Sequence, residues 1–173
     1  MKADGQGFRG LVEEHQSMVF SIALRMLGDR GAAEEVAQDV FVKLHGALER
    51  LESEDHVRFW LRRATAHRST DYVRRRSLRP EFLAEEWTEQ HEAGLEERTA
   101  GGGVGTRLER MLLSLPEGPR AALVLRYQED MDPDEIAKTL EQPVATVKSN
   151  LQRGLAMLRR KADVMLKEFV RER

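Results

Sequence analysis

Apolar residues recur with a period of about 3.6 along most of this chain, a pattern typical of amphipathic helices. The predicted helices cover residues 8–27 (as one or two helices), a segment after the turn at 28–31, and residues 59–76, 107–115, 120–127 and 132 onwards. An acidic loop is predicted over residues 49–56. The pattern therefore predicts an all-α fold.

The helix over residues 59–76 has the weakest apolar stripe of the set. Its sequence favours an inner face made of Trp60, Leu61, Ala64, either His67 or Arg68, and either Asp71 or Tyr72. The segment from Arg62 to Arg79 holds seven arginines and one acid. Such a helix could hold nucleic-acid phosphates, or it could be an ordinary solvated surface helix.

The segment from Asp132 to Lys161 predicts a helix-turn-helix. Asp132, Pro133 and Glu135 form a helix start with a capping box, and Pro143 interrupts the helical pattern. In the second helix the apolar stripe is Val147, Leu151, Leu155 and Leu158. The opposite face is polar and consists of Thr146, Ser149, Asn150 and Arg153, with Lys148 nearby. This face fits a DNA groove, although an antiparallel helix pair with a solvated face would show a similar pattern.

Composition limits the classes of protein that remain. The chain has 173 residues with 40% hydrophobic and 34% charged content, which favours one medium or two small domains. It has no apolar run of the length that crosses a membrane and no signal-peptide pattern, so we expect a cytoplasmic protein without membrane insertion. The absence of cysteine excludes disulfides and thiolate metal sites.

The formal net charge of −2 hides a strong segregation of charge. The arginine-rich helix is followed by residues 81–97, which hold seven glutamates and no lysine or arginine, and then by a glycine-rich stretch. This composition predicts a flexible acidic linker over residues 80–104 between two small helical domains. A second acidic cluster, Glu34, Glu35, Gln38 and Asp39, could dock a protein or could simply be solvated.

An enzyme is not favoured by the sequence. His45, His56 and His67 recur every eleven residues, but the predicted loop between the first two breaks their register. No acid joins them at ligand spacing, and no nucleophile has an activating partner. We therefore expect no catalytic residue, no metal and no cofactor.

Two motif sets in this chain resemble those of bacterial extracytoplasmic-function (ECF) sigma factors of RNA polymerase. The downstream set, similar to the family's fourth region, is Leu115-Pro116, Leu125-Arg126-Tyr127, Glu135-Ile136-Ala137 and the run from Pro143 to Ser149. The upstream set, similar to its second region, is the run from Ala33 to Phe41, Trp60-Leu61, Asp71 and Arg74-Arg75-Arg76. Both sets occur in the family's order and separation.

The resemblance implies a role for each part of the chain. It implies region 2 in residues 1–79, a linker in 80–104, and a region 4 helix-turn-helix in 105–173. Residues implied to bind the clamp helices of the largest polymerase subunit are Glu34, Glu35, Gln38 and Asp39. Residues implied to bind the minus-ten element are Trp60, Arg62, Arg63, His67, Arg68, Arg74, Arg75 and Arg76. Residues implied to read the minus-thirty-five element are Thr146, Lys148, Ser149, Asn150 and Arg153.

The implied partners are core RNA polymerase, including its beta flap, promoter DNA and an anti-sigma factor. The alternative is a stand-alone helix-turn-helix regulator, which would leave the acidic cluster and the arginine-rich helix without a role. The chain departs from the family at Glu141, where glycine is frequent, and at Asn150 and Gln152, where basic residues or histidine are common. These departures bear on base preference more than on the general role.

Overall fold

The computed structural model describes residues 5–77 and 104–171, which are helical with short connections and contain no strand. The helices are α1 (Gly5–Leu27), α2 (Arg30–Ala47), a 3₁₀ turn (Leu48–Arg50), α3 (Glu54–Ser77), α4 (Val104–Leu113), α5 (Glu117–Tyr127), α6 (Pro133–Leu140) and α7 (Val144–Arg171). The chain divides into two compact units, Met1–Ala100 and Gly101–Arg173. The all-α prediction with two small helical domains is confirmed. The predicted linker lies outside the described residues except for its last position, where α4 begins.

The first unit is built from α1, α2 and α3, which all pack against one another. Residues 8–27 lie within one helix, in which His15 occupies an inward position between Leu11 and Val19 and is only 3% exposed. The helix ends at Gly28, whose positive φ of 72° suits a residue without a side chain. Asp29 then caps α2 by accepting a hydrogen bond from the Ala32 amide at 2.6 Å.

Helix α3 begins earlier than the sequence predicted, and its buried side includes polar residues that the apolar pattern did not predict. It starts at Glu54, so the predicted loop over residues 49–56 is replaced mostly by the 3₁₀ turn and the first turn of α3. The fully buried positions are Val57, Leu61, Thr65, Ala66 and Ser69. Of the predicted inner face, Trp60 and Ala64 pack against the core, and of the alternatives Asp71 and Tyr72 it is Tyr72 that packs there while Asp71 is exposed. The prediction lacked Thr65 and Ser69, because they are polar and an apolar pattern does not include them.

The second unit is organised around α5, in which five consecutive residues, 121–125, are buried. A helix that is apolar on all sides belongs in the centre of a domain. Arg120 precedes this run at 7% exposure, and its Nη2 donates hydrogen bonds to the carbonyl oxygens of Leu113 and Leu115, each at 2.8 Å. Burial lowers the pKa of the Arg120 guanidinium, and Glu117 opposes that shift. The arginine thereby closes the C-terminal end of α4.

Helices α6 and α7 form the predicted helix-turn-helix, and the predicted capping box at Asp132 and Glu135 is present. The Asp132 carboxylate accepts from the Glu135 amide at 2.8 Å, and the Glu135 carboxylate accepts from the Asp132 amide at 2.8 Å. The helix ends at Glu141, which adopts the left-handed conformation with φ of 54°. Pro143 then precedes α7, and its carbonyl accepts from the Thr146 amide at 2.9 Å.

The centre of the inner face of α7 lies beside the predicted leucine stripe. Val147, Asn150 and Gly154 are buried, whereas Leu151, Leu155 and Leu158 are half-buried. A Cβ on Gly154 would lie 2.7 Å from Leu123 Cδ1, so α7 and α5 approach each other closely at this glycine. Within residues 5–77 and 104–171, no helix is both long enough and apolar enough to cross a membrane.

Candidate functional site

The first candidate surface is the acidic face of α2, which we define as Glu34, Glu35, Gln38 and Asp39. Glu34, Glu35 and Gln38 are exposed, while Val36 and Val40 on the opposite side are buried in the core. The helical period places these four polar side chains on neighbouring positions of one side. Arg30 Nε lies 2.9 Å from Glu34 Oε1 in an exposed pair. The acidic face is therefore presented to solvent on a helix whose other side is fixed by the core.

Asp39 differs from the other three members of the acidic face because it is paired with Arg68 of α3. Arg68 Nε donates to Asp39 Oδ2 at 2.7 Å, and Arg68 Nη2 donates to the same oxygen. The Arg68 side chain is 16% exposed and the Asp39 side chain 41% exposed. The sequence prediction grouped Arg68 with the DNA-binding arginines. In the structure its guanidinium lies against the acidic face and joins α2 to α3.

The second candidate surface is the arginine-rich surface of α3, which we call the cationic face and define as the remaining predicted minus-ten residues. Those residues are Trp60, Arg62, Arg63, His67, Arg74, Arg75 and Arg76. Arg74 and Arg75 are exposed, and the other five are half-buried. Trp60 packs against the hydrophobic core with part of its ring, so only the rest of the ring is available for stacking. This helix concentrates positive charge beside the acidic face of the same unit.

The third candidate surface is the N-terminal half of α7, the second helix of the helix-turn-helix. Thr146, Lys148, Ser149 and Arg153 are exposed, as the sequence predicted. No acid occurs on α7 before Asp163, so this end of the helix is purely cationic. Exposed hydroxyl, ammonium and guanidinium groups near a helix N-terminus are suited to phosphate and base-edge contacts in a major groove.

Asn150 does not lie on this exposed face, so its predicted exposure was wrong. The residue is 5% exposed, and its Nδ2 lies 3.1 Å from the position that a Cβ on Gly118 would occupy. Its Oδ1 accepts a hydrogen bond from Arg153 Nη2 at 2.9 Å. The side chain thus fills the space beside the start of α5 and contacts an exposed arginine. Asparagine is polar, so the sequence predicted an exposed side chain at this position. Only Gly118 in the sequence indicated that another helix could lie close to Asn150.

The histidines considered for a metal site do not form one. His45 is near the end of α2, where its ring meets the edge of Phe8 with centroids 5.0 Å apart. His56 is in the first turn of α3 and His67 lies three turns later. Among the residues that the structure describes, no three His, Asp or Glu side chains are grouped to hold a metal ion.

Comparison with known proteins gives two family matches. The family described as "Sigma-70 region 2" matches residues 11–79, and "Sigma-70, region 4" matches residues 106–158. The first match covers the acidic face and the cationic face of the first unit. The second covers most of α4, all of α5 and α6, and the N-terminal half of α7.

Curated relatives match along most of the chain. The ECF RNA polymerase sigma factor SigW of Bacillus subtilis is 25% identical over 175 residues, covering 92% of this chain and 90% of the relative. The RNA polymerase sigma-E factor of Streptomyces coelicolor is 30% identical over 159 residues, covering 88% and 84%.

Two solved structures share the fold. CnrH in complex with the cytosolic domain of CnrY has a TM-score of 0.64 at 22% identity and covers 93% of this chain and 90% of its own. The sigma factor RpoE in complex with the anti-sigma factor NepR from Bartonella quintana has a TM-score of 0.69 at 14% identity, covering 92% and 98%.

Proposed function

This chain belongs to the ECF group of RNA polymerase sigma factors, and we propose that its two units carry separate parts of promoter recognition. It binds core RNA polymerase and directs promoter-specific initiation of transcription. The observation that carries this conclusion is the presence of both sigma regions, in order, over residues 11–79 and 106–158. The chain acts as a regulatory subunit, and we assign no catalytic residue to it.

The acidic face of α2 docks on core polymerase, on the clamp helices of its largest subunit. Its support is the exposure of Glu34, Glu35 and Gln38 on a helix held by a buried opposite side. Carboxylates on a rigid helix can meet a basic partner without first being ordered, which lowers the entropic cost of association. Asp39 contributes to docking through the carboxylate oxygen to which Arg68 is not hydrogen-bonded.

The cationic face of α3 binds the minus-ten element and holds the separated strand. Its support is the density of arginine on one helix together with the partly exposed ring of Trp60. Arginine offsets phosphate charge, and an aromatic ring gives an unstacked base a surface at about 1–3 kcal/mol per base. Arg68 serves this surface indirectly, because its guanidinium is held by Asp39.

The N-terminal half of α7 reads the minus-thirty-five element. Thr146, Lys148, Ser149 and Arg153 are exposed on the second helix of the helix-turn-helix, the element that enters the major groove in such folds. Arg153 is the residue suited to base readout, since guanidinium can contact guanine with two hydrogen bonds. The rest of this unit contacts the beta flap of polymerase.

Other parts of the proposal concern the surroundings of these surfaces. Residues 80–104 connect region 2 in residues 1–79 with region 4 in residues 105–173. An anti-sigma factor regulates the protein by covering its polymerase-binding surface, in the cytoplasm where polymerase acts. The two solved structures of similar fold are both complexes, and the partner of RpoE from Bartonella quintana is named an anti-sigma factor.

A first experiment compares this function with a stand-alone regulator. The purified chain is added to core polymerase in run-off transcription on a randomised promoter library, and its DNA binding alone is measured by gel shift. A sigma factor yields specific transcripts only with core and binds DNA weakly by itself, because its negative net charge limits non-specific affinity. Nanomolar binding of promoter DNA without any effect on polymerase would favour the regulator.

A second experiment tests the docking assignment. The double variant Glu35→Ala/Gln38→Ala removes two exposed side chains of the acidic face and leaves the Asp39 pair intact. We expect the affinity for core polymerase to fall by about tenfold, as measured by fluorescence anisotropy of labelled protein. Glu49→Ala is the matched control, because Glu49 is exposed outside the face. Equal affinity in the double variant and the control would refute the assignment.

A further inference from the structure

The buried side chain of Asn150 is the unusual feature of the recognition helix. It is an amide at 5% exposure among the exposed residues assigned to the minus-thirty-five element, and its Oδ1 accepts from Arg153 Nη2 at 2.9 Å. On the other side, its Nδ2 reaches to 3.1 Å from the Cβ position of Gly118. Asn150 is therefore fixed by packing against the start of α5 while it contacts the arginine that we assign to base readout.

We infer that Asn150 is a positioning residue that aims Arg153 at its base and thereby determines how strongly this protein prefers its minus-thirty-five sequence. The inference rests on the proposed function of Arg153. A guanidinium has five N–H donors, and the bond to Asn150 uses one on Nη2. The four remaining donors are sufficient for a bidentate contact with guanine, which uses two of them.

Anchoring matters because an arginine side chain has many rotamers. Holding such a side chain in one conformation costs an amount equivalent to about a two- to tenfold change in affinity. An arginine that is not held in place loses its conformational freedom only when it contacts its preferred base. The free-energy cost of that ordering is therefore subtracted from the preference for this base over the others. An anchored arginine has been ordered on folding, because Asn150 is already held by α5.

The packing on both sides of Asn150 supports this role. Gly118 leaves the room for the amide, since any side chain at 118 would crowd it. One turn further along α7, Gly154 lets the helix approach Leu123 closely. These contacts hold the recognition helix against α5 beside Arg153. The orientation of the Asn150 side chain is therefore set by the core of the unit.

The test measures base preference in full-length variants with core polymerase. Run-off transcription is compared between the preferred minus-thirty-five element and its single substitutions, and the preference is the ratio of the two within each preparation. If a variant contains less folded protein, transcription from both promoters falls by the same factor and the ratio does not change. Arg153→Ala first identifies the base position that Arg153 reads, at which we expect the preference to fall about five- to 150-fold.

Two substitutions at 150 separate the acceptor from the packing. Asn150→Leu keeps the branching and the number of side-chain heavy atoms and removes the acceptor, and we expect the preference at that position to fall about two- to tenfold. Asn150→Asp keeps an acceptor for Arg153 and should hold the preference within about twofold, although its charge lowers transcription from all promoters. Ala156→Ser, at an exposed position further along the same helix, is the control and should leave the preference unchanged.

Adding Asn150→Leu to Arg153→Ala should have no further effect on the preference. If Asn150→Leu leaves the preference unchanged in a protein where Arg153→Ala lowers it, the inference is overturned and the function of Arg153 stands. A further loss in the Arg153→Ala background also overturns it, because Asn150 would then act through the fold. If Arg153→Ala changes the preference at no position, both the base-reading role and the inference fail.

Discussion

Replacing Asp39 is expected to destabilise the first unit more than replacing its partner Arg68, although either change removes the same ion pair. The Arg68 side chain is 16% exposed, and the Asp39 side chain is 41% exposed. Without Asp39 the guanidinium stays largely out of water and loses its anion. Without Arg68 the carboxylate can be hydrated. The cost therefore depends on which partner is left behind.

The magnitude follows from these exposures. Removing one partner of a fully buried pair costs about 3–5 kcal/mol, and a hydrogen bond to a charged group contributes about 1.5–3 kcal/mol. Because Arg68 is mostly buried, we expect Asp39→Ala to lower the free energy of unfolding by about 2–3 kcal/mol. Arg68→Met keeps much of the packing of the stem and leaves a hydrated carboxylate, so we expect a loss of about 1 kcal/mol.

The assay is urea unfolding of the full-length protein followed by the fluorescence of Trp60. The chain has two tryptophans, so all variants carry Trp87→Phe to leave a single probe packed against the core of the first unit. The double variant completes a cycle, from which we expect a coupling free energy of about 1–2 kcal/mol. Glu34→Ala is the control, because its pair with Arg30 is exposed and should contribute less than about 0.5 kcal/mol.

Two results would refute this reasoning. One is a destabilisation by Arg68→Met as large as that by Asp39→Ala, which would mean that the pair stabilises the unit through packing. The other is a coupling free energy below about 0.5 kcal/mol, which would mean that the two charges contribute independently. The docking experiment leaves Asp39 unchanged because its pair with Arg68 is expected to stabilise the unit. Either result would remove that reason.

Two further predictions concern the packing of the helices. Arg120→Met removes two hydrogen bonds to carbonyl oxygens at the end of α4 and should lower the free energy of unfolding of the second unit by about 2–4 kcal/mol. Hydrogen exchange within residues 104–171 measures this loss. Unchanged protection of the amides would contradict the prediction. Gly154→Ala places a Cβ 2.7 Å from Leu123 Cδ1 and should lower the free energy of unfolding by about 1–2 kcal/mol in the same measurement. Gly46→Ala, with no atom within 4 Å of the new Cβ, should stabilise the first unit by about 0.5–1 kcal/mol. Equal effects at the two glycines would show that helix propensity alone determines the effect of the substitution.

Local signals were sufficient for the helix-turn-helix. The capping box at Asp132 and the break at Pro143 involve residues within one helical turn, so their sequence predicts their geometry directly. The exposed positions Thr146, Lys148, Ser149 and Arg153 followed from the same local period. The family resemblance then implied a role for these positions, which stays a prediction, and the match to sigma region 4 over residues 106–158 confirms the family.

Buried polar residues were the main source of error. Thr65 is fully buried because its hydroxyl donates to the Leu61 carbonyl at 2.7 Å within its own helix. Asn150 is buried because Gly118 leaves room for it and Arg153 supplies a donor. A pattern that sorts residues by polarity alone assigns both to the outside. A buried polar group whose hydrogen bonds are satisfied carries little penalty, so polarity does not fix the side on which it lies.

The sequence by itself determined the helices, their caps and the separation of acidic from cationic segments, since each depends on residues close together in the chain. The tertiary structure decided which charged side chains meet. Asp39 and Arg68 are 29 positions apart, and their contact depends on how α2 and α3 pack and turn relative to each other. That arrangement is set by the fit of many buried side chains at once, which no local pattern contains.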